Sequence, residues 1–341
     1  IGCNQGCFDH IFTGQAVECM RNYLVSREGK IDLEHKTKKP MKVLVIGSGP
    51  AGLEAARVAR VLGHNVLIVE ENDRIGGQMH VAAVPKGRTD IKEMIDYYKA
   101  QIDHLGIELK LNFKATPEFI NEYFPDAVIF ATGSKFSPLK IPGINGSNGS
   151  NICIADDALN GDYPIGKNVV VIGGGATGIE TAIWAAELGS ISNEIAHFLS
   201  FYNLIDRDEM FSKWLKGNRN VTIIEALPKL ATNVGRTTRG FLIGITQKLG
   251  INVITNANIT QIKGNNIEFT TKSERGEETH TFKDIDTFIL ATGVRSNRDL
   301  FEKVKITNPS FKMFMIGDGK EPRTFMEAIH EGFQTAYNLD K

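Results

Sequence analysis

MKVLVIGSGPAGLEAARVARVLGHNVLIVEENDRIGGQM, residues 41–79, decides the fold. A β-branched run from Val43 to Ile46 closes on a glycine turn, an Ala-rich stretch with helical spacing follows, and a second apolar run ends on Glu70. Each glycine has a separate task at this spacing. Gly47 permits the tight turn, Gly49 lets backbone approach a pyrophosphate, and Gly52 lets the helix lie close to the strand. The helix N-terminus then faces the phosphates with free N–H groups. Glu70, eighteen residues past Gly52, stands where a carboxylate accepts from a ribose hydroxyl.

The same arrangement returns at residues 168–189, NVVVIGGGATGIETAIWAAELG, with Gly173, Gly175 and Gly178 at identical spacing. Two dinucleotide sites in one chain are the consequence. The second acid, Glu225 at the end of NVTIIE, arrives 47 residues after Gly178 because residues 190–219 intervene. Phe198, Phe201, Tyr202, Phe211 and Trp214 in that insertion are expected to form a small local core, with a contact surface for a partner domain as the alternative. Two further apolar runs, DAVIFATGS from Asp126 and DTFILATGV from Asp286, both close on Ala-Thr-Gly. Residues this small suit a backbone that runs close to a ligand. Near the end, Gly317-Asp318 follows a strand and precedes an amphipathic helix, a common turn that also suits a cofactor hydroxyl.

Length and composition agree. At about 150 residues per domain, 341 residues suggest two or three domains, and 34 glycines exceed the usual share. Lys+Arg 39 against Asp+Glu 40 gives a net charge of -1, which disfavours nucleic acid and anionic membrane as partners. No apolar stretch approaches the ~20 residues of a membrane span. The chain opens on Ile1 without a secretory signal, and is read as a piece of something longer in a reducing, cytoplasmic compartment.

Cys3, Cys7 and Cys19 crowd one irregular segment, IGCNQGCFDHIFTGQAVEC, while Cys153 stands alone. Three thiolates at this spacing suit an iron–sulfur cluster, and a cysteine immediately upstream of Ile1 would complete the four that a cube requires. A zinc knuckle or three ordinary free cysteines are the other two readings. Of the eight histidines none shows metal spacing, and only His330, in EAIHEG, invites attention. Disulfide chemistry needs a cysteine pair beside a flavin, and GGQMHVAAVPKG carries none. Cys153 reads as a small buried apolar residue.

Taken in order, VIGSGPAG, ENDRIGGQM, the two ATG endings, GGGATGIE and IGDG resemble the flavoprotein disulfide reductase superfamily over residues 41–341. The leading cysteine segment is similar to that of the bacterial 2,4-dienoyl-CoA reductase and 2-enoate reductase group, whose members begin with an FMN-binding barrel related to old yellow enzyme. The resemblance implies an α/β fold: a cluster segment over 1–37, an FAD-binding domain over 38–151 and 296–341, and an NAD(P)H-binding domain over 152–295. Arg21-Asn22-Tyr23 departs from the Asn-Pro pair usual after the last cysteine, which puts the turn there in question.

By the same resemblance Gly47, Gly49, Ala51 and Gly52 would line the FAD pyrophosphate, Glu70 the ribose, Gln78 and Arg88 the phosphate side, and Ala115 the adenine. Thr132-Gly133 and Gly317-Asp318 would flank the flavin. Gly173, Gly175 and Gly178 would hold the nicotinamide nucleotide, with Glu180 near the nicotinamide and Glu225 on the ribose. Cys3, Cys7 and Cys19 would supply three ligands of a [4Fe-4S] cluster. A carboxylate at Glu225 favours NADH over NADPH, though Lys229 and Arg236 leave a 2′-phosphate an electrostatic partner. The activity implied is a relay from NADH through FAD and the cluster to FMN in the barrel of the parent chain, where an activated C=C bond is reduced. A module that holds only ADP, or less readily a disulfide reductase, is the alternative.

Overall fold

A computed structural model of the chain describes residues 1–340 apart from 147, 274, 275 and 309. It forms two compact units: Ile1–Ala83, Gly87–Phe136 and Val294–Lys341 in unit 1, and Val84–Lys86 with Ser137–Gly293 in unit 2.

Unit 1 is built on a five-stranded parallel sheet in the order Lys312–Met315, Ala127–Phe130, Lys42–Ile46, Asn65–Val69, Glu108–Lys110. A parallel pair needs a crossover, and the Pro50–Val61 helix supplies the one between the Lys42–Ile46 and Asn65–Val69 strands. The continuous burial of Val43–Ile46 and Ala127–Phe130 explains their unbroken apolar sequence, since both faces of the sheet are covered. The Ala-rich face of the crossover helix has an equally direct cause. Ala51, Ala55 and Ala59 pack in one core with Ala328, Ile329 and Phe333 of the Phe325–Tyr337 helix, where a side chain at Gly332 would meet the Ala51 carbonyl oxygen at 2.3 Å. Buried Glu54 is neutralised by two bonds from Arg57, 2.7 and 2.9 Å, and accepts from the Tyr98 hydroxyl at 3.3 Å.

Unit 2 repeats the plan with the order Ile152–Ile154, Thr287–Leu290, Asn168–Ile172, Asn220–Ile224, Asn252–Ile254, again all parallel. Ala257–Lys263, Asn266–Ser273 and Gly276–Phe282 add an antiparallel sheet. The insertion lengthens the crossover with two nine-residue helices, Asn193–Phe201 and Arg207–Leu215, started by Ser192 and Asp206 caps.

A local core in the insertion does not form. No residue of either helix is buried, and Phe201 and Tyr202 are 69% and 58% exposed. The aromatic rings meet pairwise on the surface, Phe198 with Tyr202 at 4.9 Å and Phe211 with Trp214 at 5.9 Å. Two short helices offer too little facing area to enclose five aromatic side chains. Among the described residues no helix is long and apolar enough to cross a membrane.

Candidate functional site

The two glycine loops are near copies in three dimensions. The Gly47 amide donates to the Val69 carbonyl at 2.9 Å and the Gly173 amide to that of Ile224 at 2.9 Å. Both turn glycines have the left-handed backbone that a side chain disfavours, with φ of 100° and 108°. The third glycines are needed for contact. A Cβ on Gly52 would fall 2.1 Å from the Gly47 carbonyl oxygen, and one on Gly178 1.9 Å from that of Gly173. The ATG endings close each turn from the other side: a Cβ on Gly47 would lie 2.3 Å from the Ala131 carbonyl oxygen, and one on Gly173 2.7 Å from that of Ala291.

Each strand-end acid ties its loop together. Glu70 Oε2 accepts from the Ser48 amide at 2.8 Å and the Ser48 hydroxyl at 2.7 Å, while Oε1 accepts from the Asn72 amide at 2.9 Å and its side chain at 2.7 Å. These four bonds fill a carboxylate's acceptor capacity, so a ribose diol reaching Glu70 must displace Ser48 Oγ or Asn72 Nδ2. Glu225 accepts from the Gly174 amide on Oε2 and the Leu227 amide, 2.7 Å, on Oε1. Because Gly174 and Leu227 stand where Ser48 and Asn72 stand in unit 1, Glu225 keeps a lone pair on each oxygen among the described residues. A free diol finds its acceptor there more readily than at Glu70.

Around the first loop, residues distant in sequence converge. Gln78 donates to Ser134 Oγ at 3.3 Å, and Ser134 donates to Asp318 Oδ2 at 3.2 Å. Gly317 faces Ala51, whose Cβ lies 2.9 Å from the position a Gly317 Cβ would take. Burial lifts the Asp318 carboxyl above its ordinary range, against the Arg323 amide and Ser134, which favour its charge. Thr132 Oγ1 donates to the Asn297 carbonyl at 2.6 Å, and Gly133 accepts from the Asn297 amide at 3.0 Å. Glu331 anchors the turn by accepting from the Gly317 amide at 2.9 Å and from Lys320 at 3.0 Å. Arg88 lies in the turn before the Asp90–Leu105 helix, and Ala115 packs against the second core of unit 1 beside Phe113 and Phe119. In unit 2, Glu180 sits half-buried on the Ala176–Glu187 helix.

Asn233 and Thr292 were not legible as site residues. Asn233 Oδ1 stands 3.5 Å from the position a Gly175 Cβ would occupy. Thr292 Oγ1, beside Gly173, is buried with no hydrogen-bond partner among the described residues. Cys153 is buried in the unit 2 core, and burial pushes its thiol up to about 12, so it carries no thiolate at neutral pH.

The cysteine segment folds onto unit 1. The Glu18 amide donates to the Gly6 carbonyl at 2.6 Å, which ties the backbone before Cys19 to the backbone before Cys7. Gly6 is required here, because its Cβ would meet the Glu18 carbonyl oxygen at 2.7 Å. Burial, then the nearby Cys19 and Cys7, raise the Cys3 thiol. His330 Nε2 bonds the Cys19 carbonyl at 2.9 Å, and Tyr23 packs edge-on against the His330 ring at 5.0 Å. The turn in question is made by Asn22, whose side-chain oxygen accepts from the Leu24 amide at 3.1 Å. Among the described residues no three His, Cys, Asp or Glu side chains are grouped to hold a single metal ion. Cys3, Cys7 and Cys19 are all half-buried thiols, and a set of thiolates is the donor chemistry that iron–sulfur clusters take.

Comparison with known proteins agrees with this geometry. A family model described as pyridine nucleotide-disulphide oxidoreductase matches residues 41–312. A protein named metal reductase from Desulforamulus reducens is 34% identical over 98% of this chain and 49% of its own length. A cinnamate reductase from Clostridium sporogenes is 29% identical over 99% of the chain and 45% of its own length. The solved structure of a 2-naphthoyl-CoA reductase complex matches 98% of the chain and 45% of that protein, with TM-score 0.82 and 32% identity. The chain spans about half the length of the curated relatives it matches.

Proposed function

The chain belongs to the pyridine nucleotide-disulphide oxidoreductase family, and from that premise we propose that it is the electron-input half of an iron–sulfur flavoenzyme. Unit 2 takes NADH, unit 1 holds FAD, and Cys3, Cys7 and Cys19 hold three corners of a [4Fe-4S] cluster. The destination is FMN in a barrel of the parent chain, which reduces an activated C=C bond of the enoate or dienoyl-CoA class.

The observation that supports this reading is the pair of matched loops, each with its own acid and its own close-packed ATG ending. When bound, FAD accepts electrons in pairs and releases them singly, the currency a cluster can carry. The residues of the chain have simpler duties. In unit 1, nothing lies within 4 Å of the Cβ position of Gly49, which leaves room for a pyrophosphate at the start of the Pro50–Val61 helix. The Gln78–Ser134–Asp318 chain lines the turn where the flavin would lie. In unit 2, Glu225 offers acceptors to a ribose diol and repels a 2′-phosphate, which favours NADH over NADPH. His330 fixes the Cys19 backbone on the Phe325–Tyr337 helix, so the cysteine segment is carried by the flavin-holding unit.

The relatives support the division of labour. Proteins named metal reductase, cinnamate reductase and NADH oxidase all match this chain over at least 98% of its length. Two of the names give different acceptors, a metal and cinnamate, and the third gives the donor NADH, which suits a shared input half and an acceptor selected elsewhere.

Anaerobic absorbance tests the reading. The purified chain reconstituted with FAD should show a flavin band that NADH bleaches and NADPH bleaches far more slowly. A chain that takes up no flavin would reduce the reading to a nucleotide-binding module, and an unbleached flavin would refute unit 2 as the nicotinamide site.

A further inference from the structure

The internal repeat extends beyond the glycine loops into the segments after each acid. Two residues past Glu70 and Glu225, the amides of Asn72 and Leu227 donate back to the carboxylate. Six residues past, the amides of Gly76 and Ala231 donate to the carbonyls of Ser48 and Gly174, at 2.9 and 2.8 Å. Between these bonds Ile75 and Leu230 are both buried. Eight residues past, the positions are Gln78 and Asn233. Both side chains end in a carboxamide, although the surrounding residues GGQ and ATN share nothing else.

The two carboxamides are used differently. Gln78 turns away to Ser134, and the space over Gly49 is open. Asn233 faces the second glycine, with Oδ1 at 3.5 Å and Nδ2 at 3.7 Å from the Cβ that Gly175 lacks. That missing Cβ is the room through which a pyrophosphate approaches the loop. The backbone around Asn233 is also braced: the Arg239 guanidinium donates to the Thr232 carbonyl at 3.2 Å and the Val234 carbonyl at 3.0 Å. With the backbone braced on both flanks, the exposed Asn233 side chain is carried at the edge of an anion's path and needs only its own rotation to meet that anion.

We propose that Asn233 is a binding residue of unit 2 that donates its side-chain amide to the pyrophosphate of the nicotinamide nucleotide. This rests on unit 2 being the nicotinamide site. Asn233 thereby sets dinucleotide affinity, while Glu225 selects the ribose.

Titration calorimetry of the FAD-loaded chain, so that unit 1 is already filled, tests this with ADP-ribose and AMP as probes. Asn233→Ala should weaken ADP-ribose about tenfold, the loss of one hydrogen bond to a charged oxygen, and leave AMP within about twofold because it lacks the pyrophosphate. Asn233→Asp, nearly the same size, should weaken ADP-ribose further through like charge. Retention of parental ADP-ribose affinity by both variants would overturn the proposal while leaving the nicotinamide site intact, and so would an equal loss for AMP. A parent chain that binds neither ADP-ribose nor NADH would overturn both readings together.

Discussion

Ser48 and Glu70, 22 residues apart, are joined twice, by the backbone amide and by the hydroxyl of Ser48 on the same carboxylate oxygen. In unit 2 the corresponding Glu225 receives one bond from Gly174, which has no hydroxyl to give. With Leu227 in the place of Asn72 as well, two side chains separate an acid whose acceptors are filled from an acid with acceptors to spare.

Glu70→Ala should leave the buried Ser48 amide unpaired and destabilise unit 1 by about 1–3 kcal/mol. Flavin retention should fall with it. Ser48→Ala should cost only about 1 kcal/mol and keep the flavin-to-protein ratio, because it frees a lone pair on Glu70. Thermal unfolding and flavin content after gel filtration check both.

The second and third glycines of unit 2 should separate binding from folding. Gly178→Ala drives a Cβ into the Gly173 carbonyl oxygen, 1.9 Å away, and is expected to cost about 3 kcal/mol. Gly175→Ala meets nothing nearer than Asn233 at 3.5 Å and should leave the melting temperature nearly unchanged. It should nevertheless lower NADH affinity at least tenfold, because the Cβ occupies the pyrophosphate's room. Calorimetric melting and NADH titration of the two variants read the contrast.

His64 gives the chain a pH limit. Its Nδ1 accepts from the Met41 amide at 3.1 Å, its Nε2 is buried without a partner among the described residues, and burial lowers its affinity for a proton. Asp340 opposes this shift and Lys312 adds to it. The unfolded chain takes up a proton near the ordinary value of 6.5 while the folded chain does not, so stability falls as pH drops below that value. His64→Asn keeps an acceptor for Met41 and should flatten the decline, measured as urea midpoints between about pH 5 and 8.

Cys153 should resist iodoacetamide at pH 8 in the folded chain and react only after denaturation. Its thiol is both buried and held near 12. Peptide mapping by mass spectrometry distinguishes this from a reactive nucleophile.

His330→Ala should release the Cys19 backbone and the ring contact with Tyr23. Faster amide exchange over residues 15–27, with the Lys42–Ile46 strand unchanged, is the expected signature.

The amino-acid sequence by itself determined the two strand–turn–helix openings, because their causes are short-range. Positive φ at Gly47 and Gly173, continuous apolar runs, and an acid at a strand end are all local chemistry. It also determined that three cysteines share one segment. Only the tertiary structure decided that Gln78 bonds Ser134 across 56 residues and Ser134 bonds Asp318 across 184, that His330 holds Cys19 across 311, and that Asn233 overlooks Gly175. It alone left the insertion's aromatic rings on the surface, where their number in one short segment had suggested a small core. No local pattern encodes these contacts, since they arise when separately folded elements are packed together and the loops between them are held wherever that packing leaves them.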